Sequence, residues 1–152
     1  MAGLSYLLDT NILSEPLATR PNPSVLARIA QHQDVIAISA IAWQELWYGA
    51  LRLPPSRRRA QVEEYLNGSV RGVLPILPFE ERAAMWQASE RSRLTLLGRI
   101  PAYVDSQIAA VCAVNGLTLV TRNVGDFAHF AGLTVENWFE DTGDPPSIPR
   151  AR

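Results

Sequence analysis

Short apolar runs alternate with helical stretches and breaker residues along most of the chain. Five runs are rich in the branched and aromatic residues that favour strands, and they begin near Leu4, Val35, Val73, Leu117 and Leu133. Between them the sequence predicts helices at about 11–18, 24–33, 40–51, 57–66, 79–97 and 103–114. Proline and glycine set several of the predicted ends, at Pro54-Pro55, Asn67-Gly68, Gly98 and Asn115-Gly116.

This order of elements predicts the fold class. Strands separated by helices pair in parallel through crossover connections, so the expected architecture is an α/β three-layer sandwich with a central, mostly parallel sheet of about five strands. One domain is expected over residues 1–139. The remainder, 140–152, reads largely as DTGDPPSIPRAR and is predicted to be a flexible tail.

Composition narrows the class of protein. The 152 residues are 47% hydrophobic and 19% charged, which is typical of a globular domain, and the net charge of -1 provides no strong field for nucleic acid. The single cysteine, Cys112, lies in an apolar run and is expected to be buried. The chain contains neither a signal-peptide pattern nor 18 consecutive apolar residues, so a cytoplasmic protein without a membrane span is expected.

Four carboxylates fall where parallel sheets form their sites, beyond the carboxyl ends of the strands. Asp9 follows the first strand, Glu45 lies in the helix after the second, Asp105 begins the helix before the fourth, and Asp126 follows the fourth. Each aspartate also has a purely structural interpretation. Asp9 can cap a helix, Asp105 can favour a helix dipole, and Asp126 can stabilise a turn.

Glu45 is harder to explain structurally, because it is the only charge in IAWQELWYGAL. A carboxylate on an apolar face requires a partner, and no arginine lies one helical turn away. Clustered carboxylates also repel one another unless protons or cations lie among them. A bound Mg²⁺ or Mn²⁺ meets both needs, since these ions prefer oxygen ligands.

Asp9 is therefore interpreted as a metal ligand, with helix capping as a secondary role. Nearby polar residues are predicted to orient the carboxylates and water through hydrogen bonds, and they are Thr10, Asn11, Thr121 and Asn123. The two histidines, His32 and His129, are interpreted as ordinary surface or packed residues.

Three segments together resemble a known family: LLDTNILSE, ISAIAWQELWYGALRL and GRIPAYVDSQIAAVCAVNGLTLVTRNVGDF. In this order they are similar to the PIN domain of VapC-type toxins, in the FitB and plasmid-stability branch. The resemblance covers residues 4–139 and implies a metal-dependent ribonuclease, the toxin of a type II toxin–antitoxin pair. It implies Asp9 and Asp105 as the direct Mg²⁺ (or Mn²⁺) ligands and Glu45 as the second acidic position. Many relatives carry an acid where this chain has Asn123, so the fourth site residue is either Asp126 or Asn123.

The same resemblance implies partners. Relatives are usually homodimers inhibited by a small antitoxin, which holds the DNA-binding fold, so operator DNA is expected to be reached only through the antitoxin. The basic cluster Arg57, Arg58 and Arg59 is predicted either to bind the RNA backbone or an acidic antitoxin segment, or to be a solvated helix face.

Three other functions are alternatives to a ribonuclease. A receiver-like signalling module binds magnesium in an acidic pocket, but it uses a lysine, and this chain has none. A phosphatase of the haloacid dehalogenase type requires an acid at the position of Asn11. A PIN fold without turnover, which acts only by binding, is compatible with the sequence.

Overall fold

The computed structural model describes residues 3–140. The strands are β1 Tyr6–Leu8, β2 Ile36–Ser39, β3 Ile76–Leu77, β4 Thr118–Val120 and β5 Val135–Glu136. The helices α1 to α7 are Thr10–Leu13, Pro23–Gln31, Ala40–Leu51, Arg57–Tyr65, Glu81–Leu96, Tyr103–Val114 and Val124–Phe127. The predicted tail falls, apart from residue 140, outside the described residues.

All strand pairs are parallel, and the strand order is β3-β2-β1-β4-β5. The central strand β1 pairs with β2 on one side and β4 on the other, with Leu7 opposite both Ala37 and Leu119. Because β1 and β4 are neighbours in the sheet, the segments that follow these two strands lie side by side. Asp9 directly follows β1, and Asp126 lies in the short helix α7 that follows β4.

The sheet is covered on both faces, which confirms the three-layer prediction. Successive strand residues point to opposite faces. Leu7 and Leu119 pack with residues of α5, α6 and α7, whereas Leu8 and Val120 pack with residues of α1, α2 and α3. Cys112 is fully buried in the first of these layers, as predicted, and its thiol donates to the carbonyl of Leu117 at 3.1 Å.

Two predicted helix ends are wrong. The first helix stops at Leu13 and is followed by a 3₁₀ turn, Glu15–Leu17, because Pro16 has no amide hydrogen to continue the α-helical pattern. The fourth does not end at Asn67-Gly68. It continues as a π-helical turn, Leu66–Val70, in which the Arg71 amide bonds to the Leu66 carbonyl and both ends of the turn are buried.

Two further elements differ from the pattern. The third strand is limited to Ile76–Leu77, since Pro75 before it lacks an amide hydrogen and takes part only through its carbonyl, which accepts from Ile38. The short helix α7 was not predicted, because four residues cannot show a helical period. None of the helices within residues 3–140 combines the length and apolar character needed to cross a lipid bilayer.

Candidate functional site

Asp9 lies at the end of β1 and is 7% exposed. Its Oδ1 accepts from the Thr10 amide at 2.8 Å, so it does cap α1, as the structural interpretation proposed. Its Oδ2 accepts from the hydroxyl of Thr121 at 2.8 Å and from the Asn11 amide group at 3.2 Å. Burial raises the pKa of Asp9, and these hydrogen bonds partly counteract that rise. Oδ1 retains one free acceptor position, which a cation can occupy.

Thr121 joins the two central loops. Its hydroxyl donates to Asp9 and accepts from the Asn11 side chain at 3.4 Å and the Asn123 backbone amide at 3.1 Å, so its hydrogen-bonding capacity is used completely. Asn11 in turn accepts from the backbone amide of Arg122 at 3.0 Å. Asn123 takes part through its backbone, and its side chain does not cap α7.

Glu45 lies one turn into α3, the helix that Ser39 caps at the end of β2. Its Oε1 accepts from the hydroxyl of Thr10 at 3.0 Å. Burial raises the pKa of this partly exposed carboxyl, and the negative charge of Asp9 raises it further. Thr10 is therefore the link between the first two acids, since its amide contacts Asp9 and its hydroxyl contacts Glu45.

Asp105 occupies the first turn of α6. Burial, followed by the charges of the other three acids, raises its pKa to about 6, and each of these charges acts in the same direction. Asp126, exposed in the first turn of α7, contributes its charge to both Asp105 and Asp9. The fold thus brings together the four carboxylates that the sequence indicated: Asp9, Glu45, Asp105 and Asp126.

The donor set suits a hard divalent cation. Burial raises the pKa values of Asp9, Glu45 and Asp105, and the negative charge of neighbouring acids adds to each rise, so a cation among them would be favourable. Within residues 3–140, no three or more carboxylate, imidazole or thiol groups converge closely enough to enclose an ion by themselves. Magnesium commonly takes one or two carboxylates and completes its shell with water and phosphate oxygens, which agrees with a two-ligand site.

Two members of the predicted basic cluster have structural contacts. Arg58 donates to the carbonyl of Leu17 at 2.7 Å. Arg59 forms an ion pair with Glu63 at 2.8 Å and also donates to the Leu53 carbonyl at 3.2 Å. Arg57 is exposed at the first position of α4. Arg58 therefore links α4 to the turn that ends at Leu17, and binding of RNA or an antitoxin by the cluster stays a prediction.

Beside the acids lies a pocket of about 440 Å³ that the sequence did not indicate. Asp105 and Asp126 form part of its lining, and Arg99 and His129 form another part. The Arg99 guanidinium lies 2.7 Å from Nδ1 of His129. His129 is an exposed residue that lines this pocket, and His32 is packed between Tyr6 and Trp138, which agrees with the interpretation of both as surface or packed residues.

Comparison with known proteins agrees with this geometry. The sequence profile of the PIN domain matches residues 6–133. The chain belongs to the PIN domain family. The match includes all four acids, the two central loops and the strands β1 to β4, so the family assignment rests on the part of the chain that builds the site.

Individual PIN domain proteins resemble the chain over most of its length. It is 32% identical to "Ribonuclease VapC2" of Haemophilus influenzae, over 89% of this chain and 98% of that protein. It is 36% identical to "Toxin FitB" of Neisseria gonorrhoeae, over 80% and 89% of the two chains. The crystal structure of DNA-bound VapBC from Salmonella typhimurium superposes with a TM-score of 0.79 at 27% identity, covering 89% of this chain and 98% of that chain.

Proposed function

We propose that the protein is a metal-dependent ribonuclease, the toxin of a type II toxin–antitoxin pair. One observation carries the proposal: carboxylates from four separate segments lie together at the carboxyl edge of a PIN domain sheet, where burial raises the pKa of Asp105 and the charges of the other three acids raise it further. Bringing like charges together costs stability, and helix capping accounts for Asp9 alone, so a catalytic use for the charges is the simplest explanation. The names of the VapC2 and FitB relatives, a ribonuclease and a toxin, support the same activity.

In this proposal Asp9 and Asp105 hold Mg²⁺ or Mn²⁺. The bound ion would polarise the phosphoryl oxygen, lower the pKa of a water molecule and neutralise the leaving oxygen. Thr121, Asn11 and the Thr10 amide keep the Asp9 carboxylate in one orientation. Glu45, held by the Thr10 hydroxyl, accepts a proton from the attacking water, and its raised pKa suits that role. Asp126 supplies the fourth negative charge, with Asn123 positioned through its backbone.

The proposed partners are an RNA substrate, a small antitoxin and a second copy of the chain. The relative from Salmonella typhimurium is a VapBC assembly bound to DNA, which supports an assembly that contacts DNA. Contact with operator DNA through the antitoxin is part of the proposal. Exposed apolar side chains offer area for protein contacts and include Tyr48, Leu51, Leu96, Leu97, Ile100 and Tyr103. The cytoplasm, where RNA and antitoxin are both present, is the proposed site of action.

RNA cleavage by the purified protein tests the activity. We expect total bacterial RNA, which contains transfer, messenger and ribosomal RNA, to be cleaved in Mg²⁺ or Mn²⁺ and left intact in excess chelator. Asp105→Asn should lose cleavage under the same conditions. A protein that binds RNA and antitoxin but never cleaves would instead be a non-catalytic magnesium-binding interaction module, which is the alternative function.

A further inference from the structure

The end of helix α5 fixes the position of Arg99. The Arg99 amide donates to the carbonyl of Leu94 at 2.8 Å, and the Gly98 amide donates to Thr95 at 3.0 Å. Gly98 has a φ of 73°, and these two bonds form the Schellman turn in which glycine is favoured. The backbone beneath the Arg99 guanidinium is therefore well defined, although the side chain itself is exposed.

The same helix holds the segment that carries His129. Arg93 donates to the His129 carbonyl at 2.7 Å while its Nε pairs with Glu90 at 2.7 Å. Glu90, which is 7% exposed, also accepts the amide hydrogen of Ala131. Hydrogen bonds thus hold the backbone at His129 and at Ala131, so the exposed imidazole extends from a well-defined backbone.

The contact between Arg99 and His129 determines which hydrogens face the pocket. A guanidinium only donates, so Nδ1 of His129 is the acceptor in the 2.7 Å contact, and Nε2 carries the hydrogen. Both side chains consequently present N–H groups. They line a pocket of about 440 Å³, within the usual range of ligand pockets, that also contains Asp105 and Asp126. The pocket therefore has an acidic part and a hydrogen-donating, cationic part.

We propose that Arg99 and His129 bind a phosphate of the RNA backbone that neighbours the phosphate being cleaved. The inference rests on the proposed ribonuclease activity. Uncompensated carboxylates repel an anion, so within this pocket a second phosphate is best placed against the guanidinium, whose N–H groups match phosphate oxygens. A polynucleotide carries evenly repeated phosphates and can reach both parts of the pocket at once. Ile100 and Pro101, which also line it, offer apolar contact to the intervening sugar or base.

Binding measured without cleavage tests the site. The probe is a fluorescein-labelled single-stranded oligouridylate, titrated by anisotropy in chelator at several salt concentrations. Arg99→Gln should weaken binding by about tenfold, the effect of one lost hydrogen bond to a charged group. The slope of log affinity against log salt should become shallower by about 0.7, as for one lost phosphate contact on a single strand. His129→Ala should also weaken binding.

Arg82→Gln is the matched control. Arg82 is exposed, like Arg99, and its guanidinium donates to the backbone carbonyl of Val114 at 3.2 Å. Val114 ends α6, whereas Asp105 lies in the first turn of that helix, so Arg82 is far from the pocket. The control should bind oligouridylate as the parent does.

The outcomes separate this inference from the proposed activity. If Arg99→Gln keeps the parent's affinity and salt slope, the phosphate site is wrong even if the parent cleaves RNA. If Arg99→Gln instead binds oligouridylate as the parent does and loses affinity only for poly-glutamate, the pocket recognises an acidic polypeptide and the inference is overturned. If Arg99→Gln weakens oligouridylate binding while the parent never cleaves RNA, the site stands and the ribonuclease proposal fails.

Discussion

The hydroxyl of Thr121 donates a 2.8 Å hydrogen bond to Asp9, across 112 positions of sequence. Both residues are buried. Asp9 directly follows β1, and Thr121 directly follows β4, the strand that pairs with β1. Because the same hydroxyl accepts from Asn11 and Asn123, it fixes the two loops relative to each other as well as the carboxylate. The orientation of Asp9 therefore depends on a residue from the other end of the chain.

Replacing Thr121 with valine should weaken metal binding. Valine keeps the shape and removes the hydroxyl, so Asp9 loses one of the groups that orient its carboxylate. Loss of such a supporting hydrogen bond typically lowers metal affinity by about tenfold to a hundredfold. Calorimetric titration with Mn²⁺ measures the change. Thr118→Val, at the start of β4, is the control and should bind as the parent does; equal affinity in Thr121→Val would exclude the orienting role.

Asp105→Asn should stabilise the metal-free protein at neutral pH. Burial and neighbouring acids raise the pKa of Asp105 to about 6 in the fold. The folded state binds this proton more tightly than the unfolded state. The protein therefore loses stability as pH rises from about 4 to 6 and the carboxyl ionises. Asparagine removes that penalty, which is on the order of 1 kcal/mol after allowance for solvent screening of this partly exposed group.

Thermal unfolding in chelator checks this prediction. At pH 8 the variant should melt above the parent, and at about pH 4 the difference should disappear. Asp34→Asn, an exposed aspartate after α2, provides the control. A variant that melts below the parent at pH 8 would mean that the Asp105 carboxylate has a stabilising structural partner.

Glu90→Gln should destabilise the protein in a pH-dependent way. Hydrogen bonding to Arg93 lowers the pKa of Glu90 in the folded state. A carboxylate with a lowered pKa stabilises the fold above its unfolded pKa, and this contribution is lost as pH falls through the folded-state pKa. Urea denaturation at pH 7 should show a loss of about 1–3 kcal/mol, the usual size of a hydrogen bond to a charged group, and a smaller loss at pH 3. Glu64→Gln, exposed on α4, should change neither value; a pH-independent loss would assign the effect to packing.

The acidic site could be located from sequence because topology alone determines it. Asp9 and Asp126 follow strands that lie next to each other in the sheet, and Glu45 and Asp105 lie within the first two turns of helices that start at the same edge. Any parallel sheet with this order brings those positions together, whatever the details of packing. The predicted hydrogen-bonding role of Thr10, Asn11 and Thr121 toward carboxylates follows from the same short distances along the loops.

The cationic part of the pocket could not be located in this way. Arg99 and His129 are 30 residues apart, and they meet only because a Schellman turn and the Glu90–Arg93 pair fix two separate backbones. Neither constraint has a signature in an apolar–polar pattern. For the arginine cluster, sequence shows the charge but not its partners, which are the Leu17 carbonyl for Arg58 and include Glu63 for Arg59. Binding of RNA or an antitoxin by this cluster stays a prediction.

Glu45→Gln, measured for stability and for cleavage on one preparation, tests the central claim most directly. Glutamine keeps the shape and can still accept the Thr10 hydroxyl hydrogen bond, but it removes the charge. We predict a melting temperature in chelator equal to or above that of the parent. Magnesium-dependent RNA cleavage should fall by at least about two orders of magnitude, as expected for a lost catalytic base. A variant that folds and cleaves RNA as fast as the parent would contradict the four-carboxylate site.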